Sequence, residues 1–271
     1  MTRQELLATP WDRCGVFLIN LDRSADRLVT ASRHYSDAGI PFQRIAGFDA
    51  SKEDVSGIPI DQVAFTKTHG KKIIRKGEIG CYQSHLKVLH SFLDTDKDFA
   101  IILEDDALPL PHTISSIQQL IAWESDWDIV PLFHFHRGGP ITLKHSNNLK
   151  LTVNLAHISS SAAYIINRHA AEVLIKHMGI QRACVEHALF ESWAHGLRLR
   201  GIVPMAMQLS GQANVSTINA ENSGKLALWR RMPTFLARMH VAVRLFMFAL
   251  KEIASELSKS NKNTVSRTLP D

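Results

Sequence analysis

An α/β fold with a mostly parallel central sheet follows from three features of this 271-residue chain. Strand and helix signals alternate along it, which is the pattern of a sheet covered by helices. Phe99-Ala-Ile-Ile-Leu103 is a continuous apolar run of the kind that fills a buried strand. With 45% hydrophobic and 21% charged residues, the chain has enough apolar mass for one large domain, or for one domain with an appendage.

Gly15–Asn20 reads as the first strand. Ser24 can cap a helix that runs to about Ala38, with Gly39 as its stop. Phe42–Ala46 is a short second strand. Residues 47–77 read mostly as loop, with a basic cluster at Lys67, Lys71, Lys72, Arg75 and Lys76. A helix follows from about Glu78 to Leu93, because Tyr82, Leu86, Leu89 and Leu93 fall on one face at spacings of four, three and four. After the Phe99–Leu103 strand comes a helix near Thr113–Trp123. Asp128–Phe135 and Ser161–Asn167 read as strands, His169–Met178 and Val185–His195 as helices, and Ile202–Leu209 as a last core strand. No internal repeat or low-complexity segment interrupts the series.

Charge and cysteine usage exclude some functions. Residues 225–271 hold nine Lys/Arg and three Asp/Glu, whereas the remainder holds 22 basic and 23 acidic residues. The net +5 and the basic pI of about 9.2 therefore belong to the tail. The body has no basic stripe with interleaved aromatics, which argues against nucleic acid as a partner. Met1–Cys14 has charges and a proline and no apolar run of signal-peptide length. Cys14, Cys81 and Cys184 are odd in number and widely spaced, so they form neither a zinc pattern nor a disulfide framework. A reducing cytosol is the expected setting, with each thiol a small buried hydrophobe.

The strongest chemical signal is the end of the apolar strand, where Glu104, Asp105 and Asp106 follow one another. Three adjacent carboxylates repel, and burying them unpaired is costly. A hard divalent cation such as Mn²⁺ or Mg²⁺ relieves both problems and commonly completes its shell with substrate phosphates. Ligands of open α/β sheets bind beyond the carboxyl ends of the strands, which is where this triplet lies. The triplet alone is equally compatible with a solvated acidic turn closed by Pro109 and Pro111.

Four other segments carry candidate chemistry. In Val16–Arg27 a strand empties into Asn20, Asp22 and Arg23 before a helix N-terminus. Asn20 and Asp22 could bond a base or ribose, and Arg23 or Arg27 could pair with a phosphate. An ordinary capped strand–helix junction has the same composition. In Lys76–His85, two glycines at a helix start permit close approach by another backbone or a ligand. Ser84 and His85 lie off its apolar stripe. Small residues in Ser160–Asn167 suit a sugar-sized contact or plain close packing. In Ala183–Phe190, Glu186 is a carboxylate in an apolar setting at a helix start, suited to general-base work or simply to the helix dipole. His134, His136 and His195 are possible metal ligands that no spacing singles out.

Taken in order, these segments resemble glycosyltransferase family 25. The matching elements are Val16-Phe-Leu-Ile-Asn-Leu-Asp-Arg23 with Asp26-Arg27, Ala46-Gly-Phe-Asp-Ala50, and Gly77-Glu-Ile-Gly-Cys81 with Ser84-His85. Ile102-Leu-Glu-Asp-Asp106, Ala162-Ala-Tyr-Ile165 and Val185-Glu-His187 complete the series. The resemblance covers roughly residues 14–210. Two positions depart from it: Glu186 stands where the family usually has aspartate, and Ser160-Ser161 where it usually has Gly-Thr.

The resemblance implies a GT-A-like, nucleotide-sugar-binding sandwich at residues 1–223, followed by a basic amphipathic helical tail at 224–271. It implies metal-dependent transfer of a hexose, with galactose the first expectation, from a UDP-sugar to a hydroxyl of a lipopolysaccharide, lipooligosaccharide or related surface glycan, with inversion. Mn²⁺ or Mg²⁺ would be held by Asp106 and Asp105. Glu186 would be the base. Asn20, Asp22, Arg23, Arg27, Asp49, Glu78, Ser84, His85, Glu104 and Asp105 would contact the donor. A fold-retaining binding or scaffold protein and a metal-dependent nucleotidyltransferase or phosphatase are the alternatives.

In the tail, Leu236, Met239, Val243, Phe246, Leu250, Ile253 and Leu257 recur at spacings of three and four after Pro233, making one apolar helix face of about six turns. The arginines and this helical length disfavour a bilayer span. The face could pack on the domain or seal a dimer. It could also lie on an anionic membrane surface, giving a cytoplasmic protein peripheral to the inner face of a bacterial inner membrane.

Overall fold

The computed structural model describes residues 9–135, 138–146, 148–210 and 232–267. The expected boundary between residues 223 and 224 lies outside them, as does His136. β1 (Cys14–Asn20), α1 (Ala25–Asp37) and β2 (Gln43–Ala46) form the first unit. α2 (Gln62–His69) and α3 (Lys76–Leu93) precede β3 (Phe99–Glu104) and the short β4 (Ala107–Pro109). α4 (Thr113–Ala122), β5 (Ile129–Pro131), the hairpin β6 (Pro140–Ser146) and β7 (Leu149–Asn154), then β8 (Ala163–Asn167) come next. α5 (Arg168–His177), α6 (Val185–Phe190), α7 (Ser192–His195), β9 (Gly201–Val203), β10 (Met207–Leu209) and α8 (Met232–Arg267) complete the chain.

The central sheet has the order β2-β1-β3-β8-β5. β1 pairs in parallel with β2 and β3, while β8 runs antiparallel to both β3 and β5. The sheet is therefore mixed, with four strands pointing one way and β8 reversed between two of them. Its two faces are both covered, as period-2 alternation requires. Val16, Leu18, Ile101 and Leu103 meet Ala31 and Tyr35 of α1 and Ile117 and Leu120 of α4. Phe17, Ile19, Ala100 and Ile102 meet Tyr82, Leu89 and Phe92 of α3 and Leu174 of α5. Each fully buried Leu, Ile or Phe contributes roughly 1.5–3 kcal/mol over its exposed state, so these two layers fix where the strands end.

Four expectations need correction. Residues 47–77 are not mostly loop: α2 forms there, with the Asp61 side chain accepting the Ala64 N–H and Gly70 closing the helix at φ +66°. Only Phe65 of α2 is buried, so no apolar stripe announced the helix. Val185–His195 is broken at Glu191 into α6 and α7. Ile202–Leu209 is two strands in different sheets, β9 beside β7 and β10 beside β4. Asp128–Phe135 keeps only three residues as strand.

Candidate active site

Register brings the motif residues to one edge. Ile19 lies opposite Glu104 and Asn20 opposite Ala46, so β1, β2 and β3 end level. Because β8 is reversed, it begins at that edge, with Leu103 opposite Ala163. Ser161 thus sits beside the triplet.

The three carboxylates have different surroundings. Glu104 Oε1 accepts from the Ser161 hydroxyl at 2.7 Å and lies 3.4 Å from His85 Nε2. With that nitrogen protonated, His85 Nδ1 accepts from the buried Tyr164 hydroxyl at 2.9 Å. Burial works to raise the Glu104 pKa, but His85 and Ser161 outweigh it and hold the carboxyl below its ordinary range. Asp105 accepts from the Asn20 amide at 2.7 Å and from the Arg27 guanidinium. Burial still leaves its pKa raised.

Asp106 is the least compensated of the three. Its Oδ1 is buried without a hydrogen-bond partner, and Arg27 reaches only to 4.0 Å from its Oδ2. Burial first, then the Glu104 charge, pushes its pKa up to about 6. A solvated acidic turn would show none of this. An orphaned oxygen next to two further carboxylates is instead the environment that a hard cation satisfies. The donor set is of the kind that suits Mn²⁺ or Mg²⁺, and Asp106 and Asp105 are the residues that could hold it.

The other sequence-derived candidates are distributed around this centre. Asn20 also bonds the Ser24 carbonyl, while its Oδ1 accepts from Arg44 at 3.2 Å. Arg44 pairs with the exposed Asp22. Arg23 holds Asp49 at 2.5 Å, linking the β1 exit to the loop after β2. Glu78 and Ser84 are engaged in packing. Glu78 takes Lys71 at 2.6 Å and the Arg75 N–H at 2.9 Å, capping α3. Ser84 Oγ accepts the Phe48 N–H at 2.8 Å and donates to the Gly80 carbonyl. Gly80 lets that loop close in, since a Cβ there would lie 2.6 Å from the Phe48 carbonyl oxygen. Backbone approach, rather than helix propensity, is what this glycine provides.

Glu186 lies in the first turn of α6, half-buried, with Cys184 Sγ 3.7 Å from its Oε1. The Cys81 thiol connects the two regions, being within electrostatic reach of Glu104, Cys184 and Glu186. Burial pushes the Cys81 and Cys184 thiols well up, so both are protonated at neutral pH.

The fold also gathers residues that their spacing keeps apart. His69, Cys184 and His187 have potential ligand atoms within 4.8 Å of one another, as do Cys81, His85 and Glu104. Among the described residues these two groups could each hold a cation, which the separation of the cysteines in sequence concealed. The Cys184 N–H donates to His69 Nε2 at 3.1 Å, and His187 Nδ1 bonds Glu191 at 2.7 Å. Burial, then the neighbouring His187, lowers the His69 pKa to about 3. His134 is buried beside β5, and His195 Nε2 faces the Leu189 carbonyl at 3.2 Å. Arg44 joins the site without having been named, while Ser161, Tyr164 and Lys71 were named in the sequence without a role at the site. Ser161 and Tyr164 had a signal in the small-residue run leading into β8 (Ala163–Asn167), and Lys71 in the basic cluster of residues 67–76.

The family model of glycosyltransferase family 25 (LPS biosynthesis protein) matches residues 14–186. Procollagen galactosyltransferase 1 of Danio rerio is 27% identical over 137 residues, covering 46% of this chain and 22% of that protein. The chain thus spans about a fifth of that relative's length. Among solved structures, a mutant Drosophila galactosyltransferase 7 in complex with manganese, UDP-Gal and xylobiose is 10% identical. That match covers 82% of this chain and 79% of the other at a TM-score of 0.34, a likeness that settles neither fold nor ligand.

Proposed function

The chain belongs to glycosyltransferase family 25, and from that membership we propose that it transfers a hexose from a UDP-sugar to a hydroxyl of a lipopolysaccharide or related surface glycan, with a divalent cation at the triplet. The observation that carries the metal is the buried, partnerless Oδ1 of Asp106. Galactose as the sugar is supported by the galactosyltransferase relative, and a lipopolysaccharide-type acceptor by the family's description.

Bound at Asp106 and Asp105, Mn²⁺ or Mg²⁺ would neutralise the diphosphate of the departing UDP. The chain's own residues do the rest. Asn20 and Arg27 hold Asp105 in place. His85 and Ser161 fix Glu104 as an ionised carboxylate beside the donor. Glu186 takes the proton of the acceptor hydroxyl as its oxygen bonds to the anomeric carbon and the bond from that carbon to the phosphate oxygen breaks. One displacement of this kind inverts the anomeric centre.

Asp106→Asn tests the reading. The variant keeps the size of the side chain and removes its charge, so it is expected to fold, by circular dichroism, and to lose transfer. The wild type is expected to lose activity in EDTA and regain it with Mn²⁺. A folded Asp106→Asn protein with wild-type turnover would overturn the metal assignment. Release of UMP and sugar 1-phosphate from the donor in place of UDP would favour a phosphohydrolase, and formation of UTP from the donor and pyrophosphate would favour a nucleotidyltransferase.

A further inference from the structure

α8 has two apolar faces, and only one is used by the fold. Leu245 and Ala249 are buried, Val241 and Phe248 are half-buried, and Glu252 pairs with the fully buried Arg200 at 2.7 Å. This narrow face seats the helix on α2, α7 and β7. Leu236, Met239, Val243, Phe246, Met247 and Leu250 occupy a different arc and are each at least 41% exposed. At 1.5 Å per residue the exposed stripe runs about 20 Å between its first and last members, over an arc of about 100°. Met232 and Phe235, both 62% exposed, extend it at the N-terminal end.

Charge decides what fits this stripe. His240, Arg244 and Lys251 project along one margin and are exposed. Arg238 lies on the docked side, between Leu245 and Ala249 around the helix, and donates to the Thr68 and His69 carbonyls. The two acids of residues 232–256 are Glu252, paired with Arg200, and Glu256, half-buried and also partnered. Over residues 232–256 the exposed side of the helix is thus apolar at its centre, cationic along one edge and free of exposed acid. A second copy packed through the same helix face would offer these cations no counter-charge, whereas an anionic lipid surface offers both acyl chains and headgroup charge. Met232–Glu256 is long and apolar enough to cross a bilayer by length and composition, but a span would strip away the Arg200–Glu252 pair and the buried Leu245 and Ala249.

We propose that α8 lies in the plane of an anionic membrane, its Leu236–Leu250 stripe in the acyl boundary and Arg244 and Lys251 among the headgroups, while its opposite face stays docked on the domain. The docking also orients the molecule. Arg238 holds the end of α2 at His69, and His69 accepts from Cys184, two residues before Glu186. The candidate base therefore lies close to the membrane-bound helix, where a lipid-linked acceptor would present its hydroxyl. That placement rests on the glycosyltransfer reading. Lipid binding does not, and it is measured with no turnover.

The test is sedimentation of the full chain with vesicles of phosphatidylcholine alone or mixed with phosphatidylglycerol, in low and high salt. Binding is expected only to the anionic vesicles, and to weaken as salt rises. Arg244→Ala with Lys251→Ala should lower partition on the order of thirtyfold, about a decade or less per cation. Phe246→Ser with Leu250→Ser should lower it at least as much. All four positions are exposed, so circular dichroism and Tm should be unchanged. Failure of the wild type to bind, or equal binding by the folded variants, would overturn the proposal. So would a dimer that the Phe246→Ser, Leu250→Ser chain loses while its vesicle binding stays at the wild-type level.

Discussion

Gly80→Ala sets two known effects against each other, and the structure says which one wins. Alanine in a helix interior is favoured over glycine by about 1 kcal/mol. At Gly80, however, the added Cβ would lie 2.6 Å from the Phe48 carbonyl oxygen, about 0.8 Å inside ordinary contact at 3.4 Å. The loop cannot simply withdraw. The Phe48 N–H is bonded to Ser84, Asp49 is held by Arg23, and Ala50 is buried with Phe65, Ile74 and Ile79. Overpacking of this sort costs about 1–3 kcal/mol, and the restrained loop places it at the upper end. The net loss is about 1–2 kcal/mol, or roughly 2–6 °C in Tm for a protein of this size. Because the displaced loop carries Asp49, the donor KM should also rise more than kcat falls. Gly57→Ala is the control, since a Cβ there meets nothing within 4 Å, and it should move Tm by about 1 °C or less. Differential scanning calorimetry of the two variants, with donor kinetics, reads both effects. A Gly80→Ala protein as stable as the wild type, or more so, would refute the reasoning.

Three further outcomes are expected. Glu186→Gln should reduce kcat at least a hundredfold with donor affinity little changed, as loss of a proton acceptor requires; a parallel fall in metal or donor affinity would make it a ligand, and wild-type kcat would exclude both roles. Asp128→Asn should cost about 2 kcal/mol at pH 7, because Arg198 bonds Asp128 through its side chain and backbone. Burial acts to raise that carboxyl's pKa, but Arg198 brings it below the ordinary range, so its stabilisation is complete above about pH 4 and lost as pH falls through the lower native value; the difference in Tm from wild type should shrink on going from pH 7 to pH 3. Ser160→Gly should raise Tm by about 2–4 °C, since Ser160 sits at φ 127°, a conformation that favours glycine; a lower Tm would show that the conformation is not strained.

How much of this could be read from the chain depended on how far each signal reached. β1, β3, α3 and α5 were legible because their apolar residues repeat at short spacing and their stops are local. The triplet was legible as a metal candidate because the clash of adjacent carboxylates needs no tertiary context. α2 escaped because it buries one side chain, although Asp61 and Gly70 are the cap and stop that mark it. The β6–β7 hairpin escaped because β6 is exposed along most of its length and shows no alternation. The His69, Cys184 and His187 cluster could not be read at all, since 115 residues separate His69 from Cys184 and only the docking of α2 on α6 brings them together. The direction of β8 is equally silent: an apolar strand looks the same whichever way it enters a sheet.

That reversal has a bearing on how such an enzyme could change its substrate. In an all-parallel sheet, every residue at the catalytic rim belongs to chain leaving a strand, and its position is dictated by the core it has just traversed. Here one contributor, Ser161, belongs to chain that has not yet entered the core. Insertions or replacements in residues 155–160 can therefore re-aim the approach to Glu104 while β1, β3 and the triplet stay in register. On the proposed reading, variation in acceptor preference among relatives of this chain should concentrate in that entering segment, with the exits of β1 and β3 held constant by the core that keeps them level.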